Sequence, residues 1–188
     1  MTINISNKKR ASYVGILILV AYCMLAYTIT NNKILGVITD IISGLAVIGI
    51  PLLMFPLFNT TKNKTLNYAY LFSRFLEGIL MIIGGIFILD PSLEPFRESI
   101  YSNIHIYFFI LGALFFYVLS YRTQVIPKFI SIWGMIATLI LLIITILRLF
   151  DINSTILDTL LVPMILNEIF LAIWLIIKGF NSKINDKK

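Results

Sequence analysis

Residues 66–89 read LNYAYLFSRFLEGILMIIGGIFIL. A helix needs about 20 mostly apolar residues to cross the hydrocarbon of a bilayer, and this run is long enough. It also carries two opposite charges, Arg74 and Glu77, inside the apolar stretch. A charge at the bilayer centre costs about 2.5–3.5 kcal/mol on insertion scales. The two must therefore face a bundle interior or water, so this span needs neighbours.

The neighbours are present. Runs of similar length and character cover residues 12–29, 34–58, 100–119, 127–149 and 156–178. The polar breaks between the runs (30–33, 59–65, 90–99, 120–126 and 150–155) are too short to hold a soluble domain. Composition agrees: 59% of residues are hydrophobic and 13% charged, against about 45–50% and about 25% in soluble domains. The fold expected is an all-α, polytopic transmembrane bundle of about six helices. It forms one domain over 12–180, with a segment 1–11 before it and a basic tail 181–188 after it.

Orientation follows from the basic residues. Lys8, Lys9, Arg10, Lys62, Lys64, Arg122, Lys128, Lys178, Lys183, Lys187 and Lys188 fall on one side. Lys33, Arg97 and Arg148 fall on the other. Eleven against three predicts that both termini are cytoplasmic. The net charge of +6 is read as loops facing anionic lipid, not as a nucleic-acid surface. Tyr68, Tyr117, Tyr121, Trp133 and Trp174 are expected as anchors at that interface. Val20-Ala21-Tyr22-Cys23 is similar to a lipoprotein processing site, but Tyr22 is too bulky there, so the first run is read as a retained helix. Asn153-Ser154-Thr155 fits a glycosylation pattern that means nothing in a prokaryotic chain. Pro127 opens the fifth helix. Pro51, Pro56 and Pro163 are read as interior prolines that kink a helix or free a carbonyl. Gly78 and Gly85, seven residues apart on one face, predict a close helix crossing.

The chemistry is sought in the buried charges. Arg74 and Glu77 share a helix face at i, i+3 spacing. Counted from the membrane surface at 1.5 Å per residue, they lie roughly 12 and 16 Å deep. Glu168 in the sixth run lies roughly 15 Å deep by the same count. Three unpaired charges would cost on the order of 8–10 kcal/mol, so Arg74 is expected to bond Glu77, Glu168 or both, with the third and sixth helices in contact. One arginine against two carboxylates leaves one over for proton exchange or ligand binding. The alternative is a neutralising clamp that only sets helix register. Asn167 is read as an interhelical hydrogen bonder, Asp40 and His105 as interfacial, and Arg148 with Asp151 as a solvated pair. With six helices, an inverted three-plus-three repeat making Glu77 and Glu168 equivalent is permitted, although no sequence symmetry supports it.

One cysteine, Cys23, and one histidine, His105, leave too few ligands for a His/Cys zinc site. No Walker loop, dinucleotide fingerprint, metal-binding histidine pair or nucleophile elbow occurs, and no cofactor is expected.

Several runs carry a resemblance. They are Leu71-Phe72-Ser73-Arg74-Phe75-Leu76-Glu77, Gly112-Ala113-Leu114-Phe115-Phe116-Tyr117, and Ile126-Pro127-Lys128-Phe129-Ile130-Ser131-Ile132-Trp133-Gly134. Glu168 and Ala172-Ile173-Trp174-Leu175-Ile176-Ile177-Lys178-Gly179-Phe180 complete the set. Together they resemble a family of prokaryotic membrane proteins catalogued as domain of unknown function 4386, from the second helix onward. The resemblance implies a bundle of about six helices and brings no activity with it. The expectation is a multi-pass prokaryotic cell-membrane protein, transporter-like or binding a small ligand at a charged midplane site. The alternatives are an accessory protein acting through a membrane partner or its own copies, and a lipid-modifying enzyme.

Overall fold

Six helices are long and apolar enough to cross a membrane: α1 (Asn7–Thr30), α2 (Lys33–Phe58), α3 (Thr61–Phe87), α4 (Glu94–Thr123), α5 (Lys128–Leu149) and α6 (Thr155–Ile177). They come from a computed structural model that describes residues 6–181, with no strand among those residues. Lys183, Lys187, Lys188 and nearly all of the expected tail lie outside the described residues. The chain is an all-α, multi-pass membrane protein.

The helix ends are set by local chemistry. Ser6, Asn32 and Ser154 accept hydrogen bonds from backbone N–H groups three residues on, capping α1, α2 and α6. Asn31 (φ 53°) and Gln124 (φ 55°) close α1 and α4 in the left-handed conformation. In the loop after α3, Asp90 accepts from the Ser92 amide at 2.8 Å and hydroxyl at 2.7 Å. These bonds hold its carboxyl below the usual range. Three helices start earlier than expected, α3 among them at Thr61 instead of residue 66. Helix α1 begins at Asn7 because Ser6 caps it, and α4 begins at Glu94 because the polar residues that read as loop form its first turns.

The six helices form a closed ring in chain order. Each packs on its sequence neighbours, and α6 packs back on α1. The tightest crossings are made by glycine. A Cβ on Gly44 of α2 would stand 2.6 Å from the Gly78 carbonyl oxygen of α3, and a Cβ on Gly78 equally close to that of Gly44. Gly15 of α1 meets the Ala172 carbonyl of α6 in the same way. The Gly85 position touches Asp40 and Val37 of α2. An in-order ring does not permit the inverted repeat. Both halves turn round the bundle axis in the same sense, and a two-fold axis in the membrane plane would reverse that sense.

The ring is solid at one end and hollow at the other. The solid end holds both ends of the described residues: Asn7 and Lys8 lie beside Lys178 and Phe180, and Asn181 donates from its backbone to Val125 O at 2.9 Å and from its side chain to Gln124 O at 2.7 Å. Its core centres on Phe58, Tyr70, Phe116 and Tyr117, whose successive ring centroids lie 5.2–5.9 Å apart. Tyr117 is thus buried, not an interfacial anchor, because Gly134 of α5 lets the helix close over its ring. Trp133 and Trp174 pack with Phe129 and Phe170 along α5 and α6.

Toward the far end three helices lose regularity. α1 tightens into a 3₁₀ turn at Tyr22–Leu25, where the Ser43 hydroxyl donates to the Val20 carbonyl at 3.3 Å. α4 widens into a π turn at Tyr101–His105. α6 breaks after Thr159 and restarts at Val162. Pro163 lies inside α6 at the first turn of that restart, where its missing N–H costs nothing, and the break just before it is the interruption expected of an interior proline. Pro51 and Pro56 lie inside α2, which runs on to Phe58. Arg148 pairs with Asp158 at 2.5 Å, not with Asp151, which turns away at φ 58°.

Candidate functional site

The hollow end encloses a cavity of about 430 Å³ to which all six helices contribute. Tyr70, Phe116 and Tyr117 form its floor. Leu25, Glu98 and Ser102 line it while being exposed themselves, which marks an opening at the far ends of α1 and α4, and Ile165, also exposed, lines it at the middle of α6.

Arg74, Glu77 and Glu168 all line this cavity. Arg74 Nη1 donates to Glu77 Oε1 at 3.0 Å and Oε2 at 2.8 Å. The guanidinium carbon lies 5.5 Å from the centre of the Phe109 ring. Its stem runs past Gly112, where a Cβ would meet Arg74 Cδ and Nε at 2.9 Å, so that glycine provides the arginine's space. Arg74 Nε is buried without a hydrogen-bond partner.

Glu168 is held differently. Its Oε2 accepts from the Tyr22 hydroxyl at 2.7 Å. α3 packs on α2 and α4, and α6 on α5 and α1. The two helices expected to touch thus stand across the ring from each other. The Arg74–Glu77 pair stays within one helix, so it does not act as an interhelical clamp.

That clamp exists elsewhere. Asp40 is fully buried and takes Arg97 Nε at 3.0 Å and Nη2 at 2.9 Å on one oxygen, Oδ2. The Arg97 guanidinium lies between the rings of Tyr27 and Tyr101, at 4.9 and 4.6 Å from their centres. Asp40 is therefore not interfacial, because the early start of α4 brings Arg97 inside to meet it. At the rim of this unit Glu94 accepts from Lys33 at 2.6 Å and from the Tyr27 hydroxyl.

His105 is likewise buried, not interfacial. The π turn directs it into the cavity, 4.9 Å from the Tyr101 ring, and its Nε2 has no hydrogen-bond partner among the described residues. Asn167 donates to Ile130 O at 3.2 Å, linking α6 to α5. It does not line the cavity. No group of three or more His, Cys, Asp or Glu side chains able to hold a metal ion occurs among the described residues.

The sequence reading missed Tyr22, Tyr70, Tyr101, Arg97 and Glu98. The tyrosines gave no signal within apolar runs. Arg97 was detectable: a lone Asp40 inside α2 needs a countercharge for the reason applied to Arg74.

No curated protein and no solved structure matches the chain. A family model described as Domain of unknown function (DUF4386) matches residues 96–179. The matched stretch holds His105, Gly112, Tyr117 and Glu168, while Arg74 and Glu77 precede it. Over this stretch, somewhat less than half of its length, the chain is similar to the DUF4386 family, whose description attaches no function.

Proposed function

We propose that this chain is a ligand-binding protein of transporter type whose site is the charged cavity. We place it in a prokaryotic cell membrane with both termini in the cytoplasm, on the strength of the basic-residue asymmetry. One observation carries the functional reading. Buried Arg74 and Glu77 and half-buried Glu168 converge on a single cavity that is closed at one end and open at the other. Intramembrane ionisable groups are costly, and lining a polar site is the use that justifies them. The size falls within the range of small-molecule sites, about 300–1,000 Å³. The Arg74–Glu77 pair ties no helices together, so a purely architectural role explains it poorly.

The test is a thermal-stability screen of the purified protein across cationic, anionic, zwitterionic and neutral solutes. A ligand that binds only the folded state raises the melting temperature as its concentration exceeds Kd. The expected result is a concentration-dependent rise in wild type that Glu168→Gln abolishes. No stabilisation by any class, with a stoichiometric membrane partner recovered instead, would replace this reading with an accessory role.

A further inference from the structure

We propose that the ligand of this cavity is an organic cation carrying an apolar body, an inference that rests on reading the cavity as a ligand site. The argument begins with its charges. α1, α2 and α5 contribute no charged lining residue. α3 contributes Arg74 and Glu77, whose charges offset each other. α4 contributes Glu98 and His105, and α6 contributes Glu168. The excess is therefore negative. Glu168 faces the cavity with a tyrosine hydroxyl as its hydrogen-bond donor and no cation among the described residues bonded to it.

The walls select further. Apart from these groups they are mainly apolar, and aromatic faces recur at Tyr22, Phe109, Phe116 and Tyr117. Aromatic faces attract cations through the ring quadrupole, most strongly when both are desolvated. An anion would meet Glu77 and Glu168, and the one arginine that could receive it already carries Glu77 on Nη1, leaving Nε as its free donor. A neutral sugar or amino acid would leave most of the wall without polar contact. An ammonium or phosphonium on an apolar body satisfies both: its charge sits near Glu168 and its body lies against the rings. The buried, unpartnered Nε2 of His105 offers a further polar contact to a ligand.

The opening fits the same molecule. Its rim combines the exposed carboxylate of Glu98 with exposed apolar Leu25. A carboxylate at the mouth raises the local concentration of cations, and the apolar rim admits the body of an amphiphile.

The experiment compares two probes of the same shape and opposite charge, tetraphenylphosphonium and tetraphenylborate. Binding to the purified full chain in detergent is measured by equilibrium dialysis, with protein-free micelles subtracted. The expected result is saturable binding of the cation at least about tenfold tighter than of the anion. Glu168→Gln should weaken cation binding by on the order of tenfold or more, and Glu168→Asp should retain most of it. Equal or tighter binding of the anion overturns the charge class while leaving the cavity as a ligand site. Binding of neither probe overturns both. Unchanged affinity in a folded Glu168→Gln variant overturns the assignment of Glu168. If that variant does not fold, the cation–anion comparison on wild type decides.

Discussion

Arg74 and Glu77 meet within one turn of α3 and together present a nearly neutral unit to an apolar surrounding. Removing one partner strands the other. Arg74→Gln or Glu77→Gln should each destabilise by about 3–5 kcal/mol, whereas replacing both with apolar residues of similar volume should cost much less. Melting curves in mild detergent for the two single variants and for Arg74→Met with Glu77→Leu measure this. Additive losses would show that the two residues do not depend on each other. Glu168→Gln should behave differently. A glutamine oxygen still accepts from Tyr22 and no bonded countercharge is lost, so stability should hold or rise, as for residues retained at a cost to folding. At this scale the sequence revealed which residues are costly but not their partners. Glu77 was within reach by spacing alone. Tyr22 was not, because its bond to Glu168 depends on how α1 crosses α6.

At the scale of elements, helices meet where side chains vanish. Gly78→Ala would place a methyl group 2.6 Å from a backbone oxygen of α2, which cannot move without shifting that helix. A loss of about 1–3 kcal/mol is expected, as for other overpacked positions. Gly49→Ala is the control. Its methyl would meet only the end of the Leu17 side chain, at 3.0 Å, and that end can swing aside, so its melting temperature should stay close to wild type. The six spans themselves were legible, because runs such as 34–58 have no other stable home than lipid. The irregular segments were not. Nothing in Tyr101-Ser102-Asn103-Ile104-His105 announces a π turn, and Glu94–Ile100 looks polar enough for a loop until Arg97 is seen to have a buried partner.

For the whole molecule, the asymmetry between a filled end and a hollow end sets the side from which the cavity is reached. With the proposed orientation, a membrane-impermeant thiol reagent outside intact cells should modify Ser102→Cys in a Cys23→Ser background. It should reach Asn59→Cys only after permeabilisation. The opposite pattern would invert the topology, and equal labelling of both would mean that the filled end is not sealed. The order of helices around the ring was not legible. Lipid and neighbouring helices are both apolar, so the hydrophobic pattern along a span says little about which span lies beside it.

The ring closes between its first and last members, where Gly15 of α1 rests on Ala172 of α6 and Tyr22 bonds Glu168. A ribosome delivers α1 before the other five helices of the ring and α6 after them. Until α6 arrives, the chain is an open trough whose unsealed flank faces lipid, and the carboxylate meant for Tyr22 has not yet been made. The cavity thus forms after the other contacts of the ring, and its completion coincides with α6 entering the membrane.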